Sequence, residues 1–158
     1  MKKSSLAVLV MMFSFFTGCG DSYLATIYDS DKLIASDTNT YNLSNYDQVV
    51  GDTTFYADVN QMDGMDTLWS IDSSEETTVD FNLALDVKNG KVKLVLISPT
   101  DELTTLAELS SKDSISESKQ LKLPTGNNRI KIVSGNSAKF QISLAASAGE
   151  FYNLGFDN

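Results

Sequence analysis

The sequence predicts an all-β protein: an antiparallel β-sandwich of about eight short strands in a jelly-roll-like arrangement. Hydrophobic and polar residues alternate with a period of two through most of residues 53–147, which is the spacing of strands that bury one face. Turn-forming residues interrupt the alternation roughly every 8–12 residues. No segment between them shows the 3.6-residue period of an amphipathic helix, so an antiparallel sandwich or barrel is favoured.

The first expected strands cover residues 55–59, 67–71 and 79–87. The third is the clearest, because five apolar residues from Val79 to Val87 share one face while the residues between them share the other.

Asn89-Gly90 follows this strand directly. An Asn-Gly pair between two alternating segments favours a type I′ turn, which needs positive φ at both central residues. We therefore expect a hairpin in which Val87 faces Val92 and Leu85 faces Leu94. In that register Asp86 faces Lys93 on the solvent side, and opposite charges at facing positions stabilise a strand pair.

The remaining strands are expected at residues 103–108, 119–123, 129–133 and 138–144, separated by turns at residues 98–101, 124–127 and 134–136. Their inward positions are apolar, for example Ile130 and Ile132 in one strand and Phe140 and Ile142 in the next.

The N-terminus has the pattern of a secretory signal peptide. Lys2 and Lys3 precede an apolar segment at residues 6–16, which is shorter than the roughly 20 residues that a membrane-spanning helix needs. Because positive charge stays on the cytoplasmic side, the rest of the chain is expected to be exported.

Phe16-Thr17-Gly18-Cys19 resembles the lipobox of bacterial lipoproteins, with Phe16 where that family usually has leucine. The resemblance implies cleavage between Gly18 and Cys19 and attachment of a diacylglycerol to Cys19. The protein would then sit on the extracytoplasmic face of the cell membrane, held by lipid. Cys19 is the only cysteine, so it has no disulfide partner within the chain, and acylation explains its presence.

We divide the chain into a signal peptide (1–18), the lipidated cysteine with a tether (19–52), a β-sandwich (53–147) and a C-terminal tail (148–158). The tether is polar but also contains apolar residues such as Tyr23, Tyr28 and Ile34. Two alternatives therefore stand: a flexible spacer, or a segment partly docked on the domain through short strands at residues 23–28 and 32–35.

The charge excludes several classes of partner. The net charge is −9, and it becomes about −11 when the signal peptide takes two lysines with it. Such acidity argues against nucleic acid and against binding to anionic lipid headgroups. The chain has no histidine, which removes the commonest general base and metal ligand. No cofactor is expected.

Residues 90–99 and 121–133 resemble small β-sandwich lipoproteins of Gram-positive surfaces. The resemblance is one of pattern and extends over about residues 69–144. It implies a jelly-roll-like domain and no particular activity.

Four oxygen-bearing side chains form the best metal candidate, a calcium site at Asp58, Asn60, Asp63 and Asp66. Calcium prefers six to eight oxygen ligands, but this segment lacks the EF-hand spacing and its closing Glu. The alternative is a hairpin turn, because Asp, Asn and Gly all favour turns.

Tyr56 and Trp69 are candidates for stacking against a sugar, because an aromatic ring has an apolar face. Trp69 is in phase with Ile71, which favours the core, whereas Tyr56 is out of phase with its buried neighbours. The adjacent acidic pairs Glu75-Glu76 and Asp101-Glu102 are poor candidates for glycoside hydrolysis, since neighbours on a strand point to opposite faces.

Five basic residues are expected on outward positions, where they can bind an acidic glycan or merely solubilise and guard edges: Lys91, Lys93, Lys122, Arg129 and Lys131. The leading hypothesis is a lipid-anchored, non-enzymatic binding or envelope-interaction module. The partners considered are the membrane through acylated Cys19, a cell-wall glycan and a membrane protein. The alternatives are a structural or regulatory lipoprotein and a carboxylate-dependent surface hydrolase.

Overall fold

The computed structural model describes residues 20–155, with side chains described from residue 23 onward. Helices α1 (Gly20–Ile27) and α2 (Asp31–Ala35) come first and are followed by seven strands, three of which are 20 or 21 residues long. The strands are β1 (Thr40–Val50), β2 (Thr54–Ser73), β3 (Thr77–Ile97), β4 (Leu103–Ser110), β5 (Ser114–Leu123), β6 (Gly126–Ala146) and β7 (Glu150–Phe151).

The strand pairs are antiparallel, and β1, β2, β6, β3 and β4 lie side by side in that order. β5 shares one edge of β3 with β4. Residues 77–86 of β3 pair with β5, and residues 91–97 pair with β4. The short β7 pairs with the far part of β2, where Trp69 faces Phe151.

Each of the three long strands bends near its middle. Register shifts occur between Val59 and Gly64 where β2 pairs with β6, and between Val87 and Lys91 where β3 pairs with β6. In β6 the bend includes Asn136, whose φ is 64°. Such irregularities break the ladder locally and let a strand turn sharply, so the sheet folds into two halves.

The two halves pack face to face as a β-sandwich. The open half comprises residues 43–50, 54–62, 77–87, 114–123 and 138–146, and the helix-covered half comprises residues 64–73, 91–97, 103–110 and 126–134. Inward side chains of both belong to one hydrophobic cluster. Leu83 and Ile142 of the open half and Leu94 and Ile132 of the helix-covered half are each 1% exposed or less. At roughly 25 cal/mol per Å² of apolar surface, this burial is the main term that favours folding.

The predicted all-β antiparallel sandwich is confirmed, although the strands are fewer and longer than expected. The alternation at residues 79–87 is confirmed too. Val79 and Val87 are fully buried within β3, while the intervening Asp80 and Asn82 are exposed.

The predicted hairpin at Asn89-Gly90 is wrong. Both residues lie inside the continuous β3, which pairs with β6 before and after them. Gly90 does have a positive φ of 76°, and a Cβ there would lie 2.6 Å from the carbonyl oxygen of Gly135 in β6. The conformational freedom that suits glycine to a hairpin turn permits a bend here instead. The expected turn at residues 134–136 is likewise a bend, inside β6.

The region before residue 53 differs from the expected tether. Residues 23–27 belong to α1 and residues 32–35 to α2, so the short strands considered there are helices. β1 pairs with β2 along its whole length, which places the start of the sheet at residue 40. In α2, the Ser30 hydroxyl accepts a hydrogen bond from the Leu33 amide and caps the helix.

An apolar layer joins the helices to the helix-covered half. Ile27, Tyr28 and Ile34 are at most 3% exposed and pack with Val95 and Val133, whose side chains point away from the main cluster. The helix-covered half is therefore buried on both faces. In the described residues, neither helix has the length and apolar character needed to cross a membrane.

Basic side chains also hold this N-terminal segment. Lys131 Nζ donates hydrogen bonds to the carbonyl oxygens of Ser36 at 2.6 Å and Thr38 at 2.8 Å. Arg129 donates to the carbonyl of Ala35 and lies 3.2 Å from Asp37. Carbonyls at and beyond a helix end lack partners within the helix, and these two cations supply them.

Burial affects the protonation of this layer. Lys131 is fully buried, and desolvation, followed by the nearby Arg129 charge, lowers its pKa to about 8. Tyr28 lies beneath the ammonium groups of Lys91 and Lys93, at 3.9 and 4.7 Å from its ring centroid. Burial and then the carboxylate of Glu108 raise the pKa of Tyr28.

The predicted C-terminal tail packs on the sandwich as far as it is described. Phe151 is 6% exposed and stacks on Phe55 with ring centroids 6.3 Å apart. Leu154 is fully buried, and its amide donates a hydrogen bond to the side-chain oxygen of Gln48. Phe156 lies outside the described residues.

Candidate ligand-binding face

A row of five residues crosses the outer face of the open half. Val49 of β1 faces Tyr56 of β2, and Tyr56 faces Ser143 of β6. Ser143 in turn faces Ala84 of β3, and Ala84 faces Ser116 of β5. Residues directly opposite in antiparallel strands share a face, with Cβ atoms about 4.5–5.5 Å apart. We call these residues the groove row.

Tyr56 presents an aromatic ring at one side of this row. It is 41% exposed, while its chain neighbours Phe55 and Ala57 point inward and are almost fully buried. This follows from the period of two in a strand, and it places Tyr56 on the outer face as the sequence predicts. Val49, beside Tyr56 on the edge strand, is 68% exposed.

Small side chains leave a depression beside Tyr56. One part has a volume of about 380 Å³ and extends from Tyr56 toward Asp86 and Gln141. A second part, of about 280 Å³, extends toward Asn82 and Ser118. Both parts are lined by Ala84, Ser116 and Ser143. We call the combined depression the groove.

One flank of the groove carries acidic and amide side chains. The neighbouring row runs Asp47, Asp58, Gln141, Asp86 and Ser114 across five strands. Gln141 Nε2 donates a hydrogen bond of 2.8 Å to Asp58, which fixes both side chains. The ammonium of Lys88 lies 2.5 Å from Asp86.

The opposite flank is polar and uncharged near the groove. Ser118 donates a hydrogen bond of 2.6 Å to the side-chain oxygen of Asn82. One row further out, Gln120 donates to Asp80 at 3.0 Å. Hydroxyl, amide and carboxylate groups on both flanks can donate and accept hydrogen bonds with a ligand that lies in the groove.

Trp69 does not belong to this face. Its side chain is fully buried, and its Nε1 donates a hydrogen bond of 3.1 Å to the carbonyl of Ala148. The candidate role of Trp69 in sugar binding is therefore wrong, and its phase with Ile71 gives the correct interpretation.

The four calcium candidates lie in one continuous strand, β2, rather than in a turn. Asp58 accepts from Gln141, and Asn60 donates to the Asn45 carbonyl. Asp63 accepts from the amide and hydroxyl of Ser137. Asp66 is buried and accepts from the amides of Thr67 and Gly155. Within residues 20–155, no three acidic, cysteine or histidine side chains are grouped as a metal site.

The predicted outward basic face is wrong for four of its five residues. Lys131 is fully buried and Lys93 is 9% exposed, while the side chains of Arg129 and Lys91 are 12% and 29% exposed. These four side chains lie beneath the N-terminal segment, as described above. Only Lys122 is exposed as expected.

Gly18 and Cys19, the expected cleavage and lipidation residues, lie outside the described residues. Glu75 and Glu76 are in the connection between β2 and β3, and Asp101 and Glu102 lie between β3 and β4. Asp101 is 3.3 Å from Arg129. The structure does not bring these acidic pairs to the groove.

The floor and flanks of the groove were not predicted from the sequence. Ala84, Ser116 and Ser143 are unremarkable in the chain, and they are 27 or more positions apart. The one sequence signal that could have identified them is that each is a small residue at an outward position of an alternating strand. Which of them meet depends on the pairing of β3, β5 and β6.

No protein-family model matches this chain, and no curated protein matches it. Among solved structures, the chain is similar to a CBM4 structure at 11% identity, covering 73% of this chain and 81% of that chain, with a TM-score of 0.39. It is similar to a family 29 carbohydrate-binding module at 14% identity, covering 70% and 87%, with a TM-score of 0.37.

It is also similar to an exo-β-1,3-galactanase from Phanerochaete chrysosporium at 14% identity and a TM-score of 0.39. That match covers 70% of this chain and 27% of the galactanase. At TM-scores of 0.39 or less, these similarities carry no conclusion about this chain.

Proposed function

We propose that this protein is a lipid-anchored, extracytoplasmic and non-enzymatic module that binds a cell-envelope glycan in the groove. One observation carries the proposal: an exposed tyrosine stands beside a groove floored by small residues and flanked by hydrogen-bonding side chains.

A sugar ring matches this surface chemically. Its C–H face is apolar and can stack on the Tyr56 ring, which has a flat apolar face of its own. Its hydroxyls are both donors and acceptors, and carboxylates, amides and serine hydroxyls satisfy both roles. The side chains of Asp58 and Gln141 already hold each other in place, so little side-chain entropy is lost when a ligand binds them.

The anchor rests on the N-terminal sequence. Lys2 and Lys3, the apolar residues 6–16 and the tetrapeptide ending in Cys19 support export and acylation. A diacylglycerol provides two chains, and two are enough for stable attachment at about 0.8 kcal/mol per buried methylene. The acidity of the chain keeps the folded domain from binding anionic lipid directly.

Glycan binding is tested by comparing two exposed tyrosines. Tyr56→Ala should weaken binding to a panel of soluble polysaccharides by about tenfold or more, because a lost aromatic contact costs roughly 1.5 kcal/mol or more. Tyr23→Ala is the matched control, since Tyr23 is 47% exposed but lies in α1. Equal binding by wild type and Tyr56→Ala, or no binding by wild type to any polysaccharide, would overturn the proposal.

The non-enzymatic part is tested in the same samples. Reducing ends are measured after prolonged incubation of the protein with each bound polysaccharide. We expect no release above a protein-free control. Release that disappears in Asp58→Asn or Asp86→Asn would show that the carboxylates beside the groove catalyse hydrolysis.

The anchor is tested by intact mass and detergent partitioning of the wild type and Cys19→Ala. The wild type should partition into the detergent phase with a mass that includes acyl chains, and the variant should stay in the aqueous phase. Identical fractionation of the two proteins would refute lipid attachment at Cys19.

A further inference from the structure

We infer that the groove takes an uncharged glycan chain and rejects acidic polymers. This inference rests on the proposed glycan-binding function and specifies the ligand class.

The charges around the groove favour an uncharged ligand. None of the described residues lining it is lysine or arginine, whereas Asp86 is among them and its carboxylate lies on the groove face. Glu117 also lines the groove, but it faces the inward Leu83 and so belongs to the other side of β5. Asp58 and Asp47 extend the negative charge along the same flank toward β1. A uronate or phosphate polymer in the groove would place its charges against these carboxylates, and like charges in contact strongly disfavour a partner.

The nearby cations do not reverse this balance, because they are already paired or lie farther from the groove than Asp58 and Asp86. Lys139 is exposed on the same face of β6, one row beyond Gln141. Lys88, on the same flank, lies 2.5 Å from Asp86 and is already paired with it. Lys119 lies 2.8 Å from Glu117, and its ammonium also donates to the carbonyl of Leu106. The four basic residues that were expected to form an anion-binding surface lie on the other side of the sandwich, beneath α1 and α2.

The dimensions of the groove suit a short glycan. From Tyr56 across the strands, its floor consists of Ser143, Ala84 and Ser116. Neighbouring strands are about 4.8 Å apart, so this floor is roughly 14 Å wide and can hold a short oligosaccharide.

Two classes of soluble probe test the ligand class. The uncharged probes are xylan, mannan and a β-1,4-glucan, and the acidic probes are polygalacturonate and poly(glycerol phosphate). We expect the full chain, held in detergent, to bind at least one uncharged probe at least tenfold more tightly than either acidic probe at low salt. The difference should narrow as salt is added, because screening weakens repulsion at the surface.

A charge-reversal variant tests the cause of the exclusion. Asp58→Lys combined with Asp86→Lys should bind polygalacturonate at least tenfold more tightly than the wild type does. Glu75→Lys with Glu76→Lys is the matched control: it adds the same charge in the exposed connection between β2 and β3, away from the groove lining, and should change acidic binding less than threefold. Equal gains in polygalacturonate affinity in the two variants would show that the carboxylates of this flank do not cause the exclusion of acidic polymers.

A pair of bulky variants tests whether the ligand lies on the groove floor. Ala84→Phe fills the middle of the floor and should reduce binding of the uncharged probe at least tenfold. Thr78→Phe places the same side chain on the same face of β3, three rows away from Ala84, and it should leave binding within threefold. If Ala84→Phe binds like the wild type while retaining the wild-type circular dichroism spectrum, the ligand does not lie in the groove.

The outcomes separate this inference from the proposed function. Tighter binding of an acidic probe that is lost in Tyr56→Ala would overturn the uncharged ligand class and leave glycan binding in the groove intact. Binding of an uncharged probe that survives Tyr56→Ala would overturn the site itself. Binding of an uncharged probe that is lost in both Tyr56→Ala and Ala84→Phe supports both.

Discussion

Replacement of Gly90 by alanine tests whether β3 bends against β6 or ends in a hairpin turn. In the structure, a Cβ on Gly90 would lie 2.6 Å from the Gly135 carbonyl oxygen, 2.7 Å from Ala138 Cα and 2.9 Å from the Asn136 carbonyl oxygen. All three atoms belong to the backbone of β6, so no side chain can rotate away to make room.

The expected cost has two parts. Holding a non-glycine residue at a φ of 76° costs about 1–2 kcal/mol. Forcing apart packed backbone in a sandwich adds about 1–3 kcal/mol, as other overpacking changes do. We therefore expect the free energy of unfolding to fall by roughly 3 kcal/mol. If Asn89-Gly90 instead formed a hairpin turn projecting into solvent, the alanine would cost only the backbone term of about 1–2 kcal/mol.

Urea denaturation followed by circular dichroism measures the difference. With an m-value of about 2 kcal/mol per molar urea, the midpoint should fall by about 1.5 M. Gly51→Ala is the matched control, because the nearest atom to its added Cβ is the rotatable Thr54 hydroxyl, 2.9 Å away. It should shift the midpoint by less than about 0.5 M. Similar shifts in the two variants would refute the close approach of β3 and β6.

Three further predictions concern the buried contacts. Because the pKa of Lys131 is about 8 in the folded protein and 10.5 when unfolded, the unfolded state binds more protons between these values. Stability should therefore rise from pH 8 to pH 9.5, by at most about 2 kcal/mol. Lys131→Met should abolish this rise, which is measured as the urea midpoint at each pH. If the midpoints of the wild type and the variant rise in parallel with pH, the pH dependence does not come from Lys131. Trp69→Phe should lower the free energy of unfolding by about 2–3 kcal/mol, since it leaves the Ala148 carbonyl unpaired and opens a cavity. A thermal scan that shows no drop in the melting temperature would be incompatible with that contact. Arg129→Met should speed amide hydrogen exchange in residues 31–37 far more than in residues 79–87, and uniform acceleration would argue against local anchoring by Arg129.

The period of two predicted the sandwich because it reports which side chains must leave water. The five apolar residues that alternate from Val79 to Val87 are buried as expected, and so are Ile130, Ile132 and the other inward residues of β6. The error at Asn89-Gly90 has a physical origin. Positive φ at a glycine is a local property, whereas the choice between reversing and bending depends on which strand lies alongside, and that strand is more than 40 residues further on.

The charged residues show a second limit of pattern reasoning. Lys131 and Arg129 alternate with buried isoleucines, so solvent was the natural expectation for them. Their partners are instead backbone carbonyls about 95 residues earlier in the chain, in a segment whose two short helices have no extended amphipathic period. For the groove, the sequence identified Tyr56 by its phase. The small residues beside Tyr56 emerge only when the register of four strands is known.

If Cys19 carries the proposed lipid, the two outer faces of the sandwich determine which side of the domain faces the membrane. The N-terminal helices cover one face and the groove crosses the opposite one, while α1 begins at the residue directly after Cys19. With lipid on Cys19, the domain would be held close to the bilayer with its helical side toward the membrane, because no long flexible linker separates the lipid from α1. A helix about 10 Å thick and two sheet layers about 10 Å apart would then set the groove roughly 20 Å above that side. Its opening would face outward, toward polymers that lie over the membrane and away from the lipid surface itself.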